Sequence, residues 1–327
     1  MLTPPRLTLA RLPTPLELLS RLSEEVGTRI WIKRDDLTDT TASGNKIRKL
    51  EFSLGQANIE QADVMVTWGG VQSNHCRATA VLAAQLGLKS HLVLRGNEPR
   101  ERDGNLLIDE LVGASITFAD PDEYRDMDGT YERLQREYAS QGLKTFRIPV
   151  GATDEIGLWG YIQCAAELKQ DFELHNISPD AIISATGSGG TMAGLILGKA
   201  LHGLESEIFA FNVCDDEAYF VNKISEDFAR WKTRYDAELD VSKQAINVID
   251  GYVGPGYGRA TPEVFETIRR VARLEGIVLD PVYTGKAFNG MLDQIRQGKL
   301  KNMKDIVFVH TGGMLGLFPQ KDQLFAK

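Results

Sequence analysis

The chain has 327 residues, 43% of them hydrophobic, and sets 37 Lys and Arg against 45 Asp and Glu for a formal net charge of −8. That length exceeds the size at which one core keeps growing and predicts two lobes, while basic residues scattered among more numerous acids exclude a nucleic-acid footprint. Met1 to Leu19 holds no continuous apolar stretch and no later run reaches the ~18 apolar residues of a membrane span, which predicts neither signal peptide nor span and a soluble, cytoplasmic protein.

Taken in order, β-rich runs at 30–32, 64–67, 91–94, 115–118, 146–148, 181–183, 208–211, 248–249 and 306–309 alternate with helical patterns. The periodic segments are 77–86, 131–140, 157–170, 191–201, 262–275 and 285–297, and the polar stretch 225–243 reads as an exposed helix with few apolar anchors. Alternation of this kind predicts an α/β fold of open, twisted, mainly parallel sheets flanked by helices. The expected division is a small α/β domain at 50–155 inserted into a large domain formed by 1–49 and 156–327. Cys76, Cys164 and Cys214 are odd in number and lack paired-ligand spacing, so they are read as free thiols rather than a disulfide framework or zinc site.

Ser43-Gly44-Asn45-Lys46 puts a lysine just after a permissive turn, at the start of a helix whose Ile47, Leu50, Leu54 and Ala57 share one face. The positive end of the helix dipole should lower the pKa of Lys46 and leave part of the amine neutral, as Schiff-base chemistry requires. A solvated surface lysine is the alternative, and Lys49, three residues on, is a rival amine.

Ligands in open α/β sheets collect where strands end and turn into helices. The turn Thr186-Gly187-Ser188-Gly189-Gly190-Thr191 follows a buried-type strand and opens a helix, so its N–H groups and hydroxyls form a candidate phosphate cup. It is not a Walker loop. As a dinucleotide fingerprint it would have only Asp215 as its acidic partner. Gln72-Ser73-Asn74-His75 offers a hydroxyl, two amides and helix-start N–H groups, either for a substrate carboxylate or cofactor oxygen, or simply as a helix cap. Nothing placed by sequence makes Ser73 and His75 a hydrolytic triad, and His75 reads as structural.

Together with Asp280-Pro281-Val282-Tyr283 and His310-Thr311-Gly312-Gly313, these motifs resemble the D-cysteine desulfhydrase/1-aminocyclopropane-1-carboxylate (ACC) deaminase family, in order from Leu12 to Gly316. The resemblance implies pyridoxal 5′-phosphate (PLP), PLP fold type II, a homodimer, and a small amino-acid substrate. It implies Lys46 as the Schiff-base lysine and general base, Ser73 for the substrate carboxylate, and Tyr257 and Tyr283 as active-site tyrosines. Asn74 would face the PLP O3′ oxygen, Gly187, Ser188, Gly189, Gly190 and Thr191 would hold the phosphate, and Thr311 and Thr284 would serve the pyridine nitrogen. ACC deaminases carry glutamate where this chain has Thr284. A hydroxyl there leaves the ring largely neutral, a weaker electron sink that suffices for β-elimination of thiolate. The resemblance is therefore closest to D-cysteine desulfhydrase, with ACC deaminase and L-cysteate sulfo-lyase as alternatives; a nucleotide-binding α/β protein and a PLP binder without turnover are the readings from other classes.

Overall fold

The computed structural model describes residues 1–300 and 302–325. The first half of the chain forms β1 (Leu16–Leu18), α1 (Ser20–Val26), β2 (Arg29–Lys33), α2 (Asn45–Ile59), β3 (Val64–Gly70), α3 (Asn74–Gln85), β4 (Lys89–Arg95), α4 (Gly104–Leu111), β5 (Ser115–Ala119), α5 (Pro121–Arg125), α6 (Met127–Ala139) and β6 (Thr145–Arg147). The second half forms α7 (Trp159–His175), β7 (Ala181–Thr186), α8 (Gly190–His202), β8 (Glu207–Asn212), α9 (Glu217–Tyr235), β9 (Asn247–Ile249), α10 (Pro262–Glu275), α11 (Thr284–Arg296), β10 (Asp305–Val309) and α12 (Lys321–Leu324). One sheet has the order β1-β2-β10-β7-β8-β9 and the other β5-β4-β3-β6. All pairs are parallel except the edge pair of β1 with β2. Strands β7 and β10 are buried at every position, because helices cover both faces of the sheet. Among the described residues no helix is long and apolar enough to cross a membrane.

Two expectations need correction. The segment read as a polar, exposed helix at 225–243 is the second half of α9, which ends at Tyr235. Its Phe220, Ile224, Phe228, Trp231 and Tyr235 recur at helical spacing and are buried. The aromatic anchors were hidden by the charged residues between them. A division after residue 49 also falls inside α2, whose Ile47, Leu50, Leu54 and Ala57 pack with Met65, Ala78 and Leu82 of the four-stranded lobe. The helix serves both lobes.

Its other face is polar and equally buried. The Arg48 guanidinium grips Asp35 through Nε at 2.8 Å and Nη2 at 2.7 Å, and reaches Glu167 through Nη1 at 2.9 Å. Tyr161 donates to Asp35 at 2.6 Å, and Lys33 bridges Glu167 at 2.5 Å and Asp171 at 2.6 Å. Burial pushes the Asp35 carboxyl up, but the Arg48 charge and the hydrogen bonds outweigh it and hold Asp35 below its ordinary value. The stabilisation is therefore present at neutral pH and is lost as pH falls and Asp35 takes a proton. Breaking such a pair leaves charge stranded in the interior. Arg48→Met should lower the unfolding free energy by about 3–5 kcal/mol, read from urea unfolding; a change below ~1 kcal/mol would show that the network is dispensable.

Candidate active site

A cavity of about 340 Å³ opens between the sheets, lined by the turns after β3, β4, β7, β8 and β10 and by the start of α2. These are the carboxyl ends of parallel strands, where the connections converge on a crevice. Lys46, Ser73, Asn74, Gly187, Ser188, Gly189, Thr191, Tyr257, Tyr283 and Thr311 all line it. Two of the expected residues, Gly190 and Thr284, do not.

Lys46 owes its place to the turn before it. Gly44 has φ +103°, and a Cβ there would come within 2.6 Å of the Thr311 carbonyl oxygen, so only glycine lets this turn lie against the β10 turn. Asn45 N–H then donates to that same carbonyl at 3.2 Å. Burial lowers the Lys46 ammonium to about 8. Desolvation is the cause of that shift, in the same direction as the helix dipole inferred from sequence. The rival Lys49 points elsewhere: fully buried, it donates to the Gly151 carbonyl and to Thr153 Oγ1, each at 3.2 Å, and does not line the cavity.

The glycine-rich turn begins α8. Gly189 has φ +84° and its N–H donates to Thr186 Oγ1 at 3.2 Å, which curls the backbone so that the helix start faces the cavity. Thr191 accepts from Asn45 Nδ2 at 3.0 Å, and Ser188 Oγ meets Thr153 Oγ1 at 2.8 Å. Gly190 sits behind this turn, where a Cβ would come within 2.5 Å of Lys49 Nζ. Burial, with the Lys46 and Lys223 charges nearby, pushes the Lys49 ammonium well below its ordinary value, and an anion resting at the helix start above it would favour its charged form. Lys49, Gly151 and Thr153 were missed as parts of this floor, although Gly151 and Thr153 follow β6 in yet another turn at the end of a strand.

At the start of α3, Ser73 Oγ accepts from Cys76 N–H at 3.2 Å and keeps its own proton for donation into the cavity. The cap and the site are thus one residue. Asn74 Oδ1 accepts from Asn105 Nδ2 at 3.1 Å and Arg77 Nη1 at 3.3 Å, which leaves its amide N–H groups for the cavity. Thr67 spends its proton on the Ile148 carbonyl, so His75 Nε2–H donates to Thr67 Oγ1 at 2.7 Å. Burial, with Lys46 and Lys49 nearby, holds His75 far below its ordinary value and neutral.

Tyr257 and Tyr283 meet hydroxyl to hydroxyl, with ring centroids 5.9 Å apart. Desolvation against the cleft raises both phenols, although Tyr257 keeps an exposed edge, and phenols are in any case protonated at neutral pH. Asp280 sets Tyr283 by accepting from the N–H groups of Val282, Tyr283 and Thr284 at 2.7–2.9 Å. Thr284 donates its hydroxyl to the same carboxylate at 2.7 Å and accepts from Asp280 N–H at 2.8 Å. Both hydrogen-bonding roles of that hydroxyl are satisfied inside the turn, which removes Thr284 from direct contact with a ligand; Thr311 is the hydroxyl that lines the cavity.

Residues 7–312 match the family described as pyridoxal-phosphate dependent enzyme. The chain belongs to this family. It is 41% identical over 98% of its length to a Thermotoga maritima protein, covering 99% of that protein, whose name gives 1-aminocyclopropane-1-carboxylate deaminase as a provisional assignment. It is 39% identical to the mitochondrial bifunctional D-cysteine desulfhydrase/1-aminocyclopropane-1-carboxylate deaminase of Arabidopsis thaliana, over 97% of this chain and 80% of that one. A crystal structure of an ACC deaminase homologue superposes with a TM-score of 0.90 at 38% identity, covering 98% of this chain and 95% of that one. The fold is PLP fold type II, the cofactor is PLP, and the protein is a lyase-type enzyme.

The residues present fit that cofactor. Lys46 offers a desolvated amine, Asn74 a fixed pair of amide donors, and the Gly189 turn a cradle of N–H groups over the buried Lys49 amine. Because the Lys46 amine becomes neutral as pH rises through about 8, capture of PLP by the apoprotein should speed up roughly tenfold from pH 7 to pH 9, measured by stopped-flow absorbance; a flat profile would contradict a titrating Lys46. Borohydride reduction should leave a phosphopyridoxyl group on Lys46 and none on Lys49 by peptide mass spectrometry. Gly189→Val places a β-branched residue at φ +84°, with Ile224 Cγ1 only 3.2 Å from its Cβ. The variant should lose PLP on dialysis while keeping its far-ultraviolet circular dichroism, and full retention of PLP would remove the turn from the phosphate site.

Proposed function

We propose that this enzyme converts D-cysteine and water to pyruvate, hydrogen sulfide and ammonia, with ACC as a poorer substrate. The observation that carries the reading is the charge of the cavity lining. Among the described residues that line it, Asp215 is the one carboxylate and is exposed, and Thr311 presents a neutral hydroxyl. PLP withdraws electrons from the Cα of a bound amino acid, and a neutral partner for its pyridine nitrogen makes that withdrawal weaker, which suits expulsion of a good leaving group better than cyclopropane opening.

In this reading the residues divide the work by protonation state. Lys46 would hold the cofactor through its amine, and that amine, neutral and unattached, would take the Cα proton. Ser73 and the N-terminal N–H groups of α3 bind the substrate carboxylate, where the helix dipole favours an anion. Asn74 would hold the cofactor through its amide donors, and Gly187, Ser188, Gly189 and Thr191 would hold its phosphate, with Gly190 shaping the floor. Tyr257 and Tyr283, protonated and joined, hold the proton that hydrosulfide can take on leaving. The protonated phenol pair is also the feature that supports the second reading, ACC deamination, which the names of the relatives favour. A homodimer completes the proposal, and a sedimentation mass of one chain would count against it.

A panel of D-cysteine, L-cysteine, L-cysteate and ACC, followed through pyruvate and α-ketobutyrate, tests the assignment. D-cysteine should exceed ACC in kcat/KM by at least about tenfold, an activation difference of ~1.4 kcal/mol. A preference for ACC would overturn the reading of the neutral lining, and a preference for L-cysteate would leave only PLP-dependent β-elimination.

A further inference from the structure

The loop that carries Tyr257 joins β9 to α10 and has few backbone ties. Gly254, Gly256 and Gly258 all have positive φ, and a Cβ on Gly256 or Gly258 would meet nothing within 4 Å. Among the described residues no backbone–backbone hydrogen bond ties 251–258 to another element. Such a segment, left to itself, samples many conformations. Yet Tyr257 must bring its hydroxyl to Tyr283.

Tyr252 fixes the start of the segment to α11, donating to Asp293 and accepting from Gln294 Nε2, each at 2.7 Å, and a second side chain ties the part that carries Tyr257. Lys286, 1% exposed, donates through Nζ to the Val253 carbonyl at 2.7 Å and to the Gly256 carbonyl at 2.9 Å. Among the described residues no carboxylate lies within salt-bridge distance of it. Lys286 also stands in the first turn of α11, where the helix dipole opposes a cation. A buried ammonium in that position is electrostatically unfavourable unless its hydrogen bonds compensate, and both of those bonds go to the tyrosine loop. The same helix start carries Tyr283, two residues after Pro281 in the turn organised by Asp280. Lys286 therefore references both tyrosines to one rigid element.

We propose that Lys286 is a positioning residue that clamps the 253–257 loop onto the start of α11 and so sets Tyr257 against Tyr283 over the substrate. The proposal rests on the reading of the tyrosines as proton donors to the leaving group, since only then does their registry govern turnover. The loop carries Tyr257 and none of the residues assigned to the cofactor phosphate, so loosening it affects catalysis more than binding of the cofactor.

Hydrogen–deuterium exchange on the PLP-loaded enzyme tests the clamp without reference to activity. In Lys286→Met, which keeps length and removes the donor, amides of 251–258 should exchange at least about tenfold faster, while peptides from α8 and β10 keep their rates. The visible absorbance of bound PLP should be unchanged, and kcat should fall at least about tenfold with a smaller change in KM. Lys286→Gln retains a neutral donor and should recover part of both the protection and kcat. Unchanged exchange of 251–258 in a folded variant without the donor, Lys286→Met or, if that does not fold, Lys286→Leu, would overturn the clamp. Tyr257→Phe separates the two readings: full activity in that variant removes the proton-donor role of Tyr257, whereas the exchange result for Lys286 still decides the clamp.

Discussion

The bidentate grip of Arg48 on Asp35 is the constraint on which the site depends. It fastens one face of α2 to the large lobe, while Ile47, Leu50, Leu54 and Ala57 on other positions of the same helix pack into the small lobe. Lys46 lies in the first turn of that helix and so sits where the two lobes meet. An Arg fork with two carboxylates resists rotation as well as separation, because each oxygen has its own donor. Glu167 and Lys33 extend the network into α7 and β2. A helix pinned on a polar face and an apolar face has little freedom to tilt, and the amine at its start inherits that rigidity.

Burial then assigns the protonation states. The desolvated Lys46 ammonium is lowered, His75 is neutral, and the phenols of Tyr257 and Tyr283 are raised. At neutral pH the cavity thus contains an amine close to titration, an imidazole without charge and two phenolic protons. One physical term, the cost of charge in a low-dielectric cleft, prepares a base and its acids side by side. The carboxylates that could disturb this arrangement are either exposed, as Asp215 is, or committed to backbone N–H groups, as Asp280 is.

Legibility in the sequence followed the range of the interactions. Alternating strand and helix patterns are local, and nine of the ten strands could be read from them; β1 escaped because three residues at an antiparallel edge carry too little pattern. The turns at 43–46, 69–75 and 186–191 announced themselves because glycine and small polar residues are demanded by the local backbone. Helix α9 was misjudged where its charged face masked Phe228, Trp231 and Tyr235.

The amino-acid sequence by itself determined the α/β class, the PLP family and most of the residues that meet in the cavity, since each of these depends on motifs contained in short stretches of chain. Tertiary structure alone decided what the polar groups do. Thr284 lies beside Tyr283 in sequence, yet its hydroxyl turns to Asp280. Lys49 lies three residues from Lys46, yet its amine goes under the turn at Gly190. Lys286 reaches carbonyls some thirty positions away. Which partner satisfies a buried donor depends on neighbours brought together by folding, and spacing along the chain carries no record of that choice.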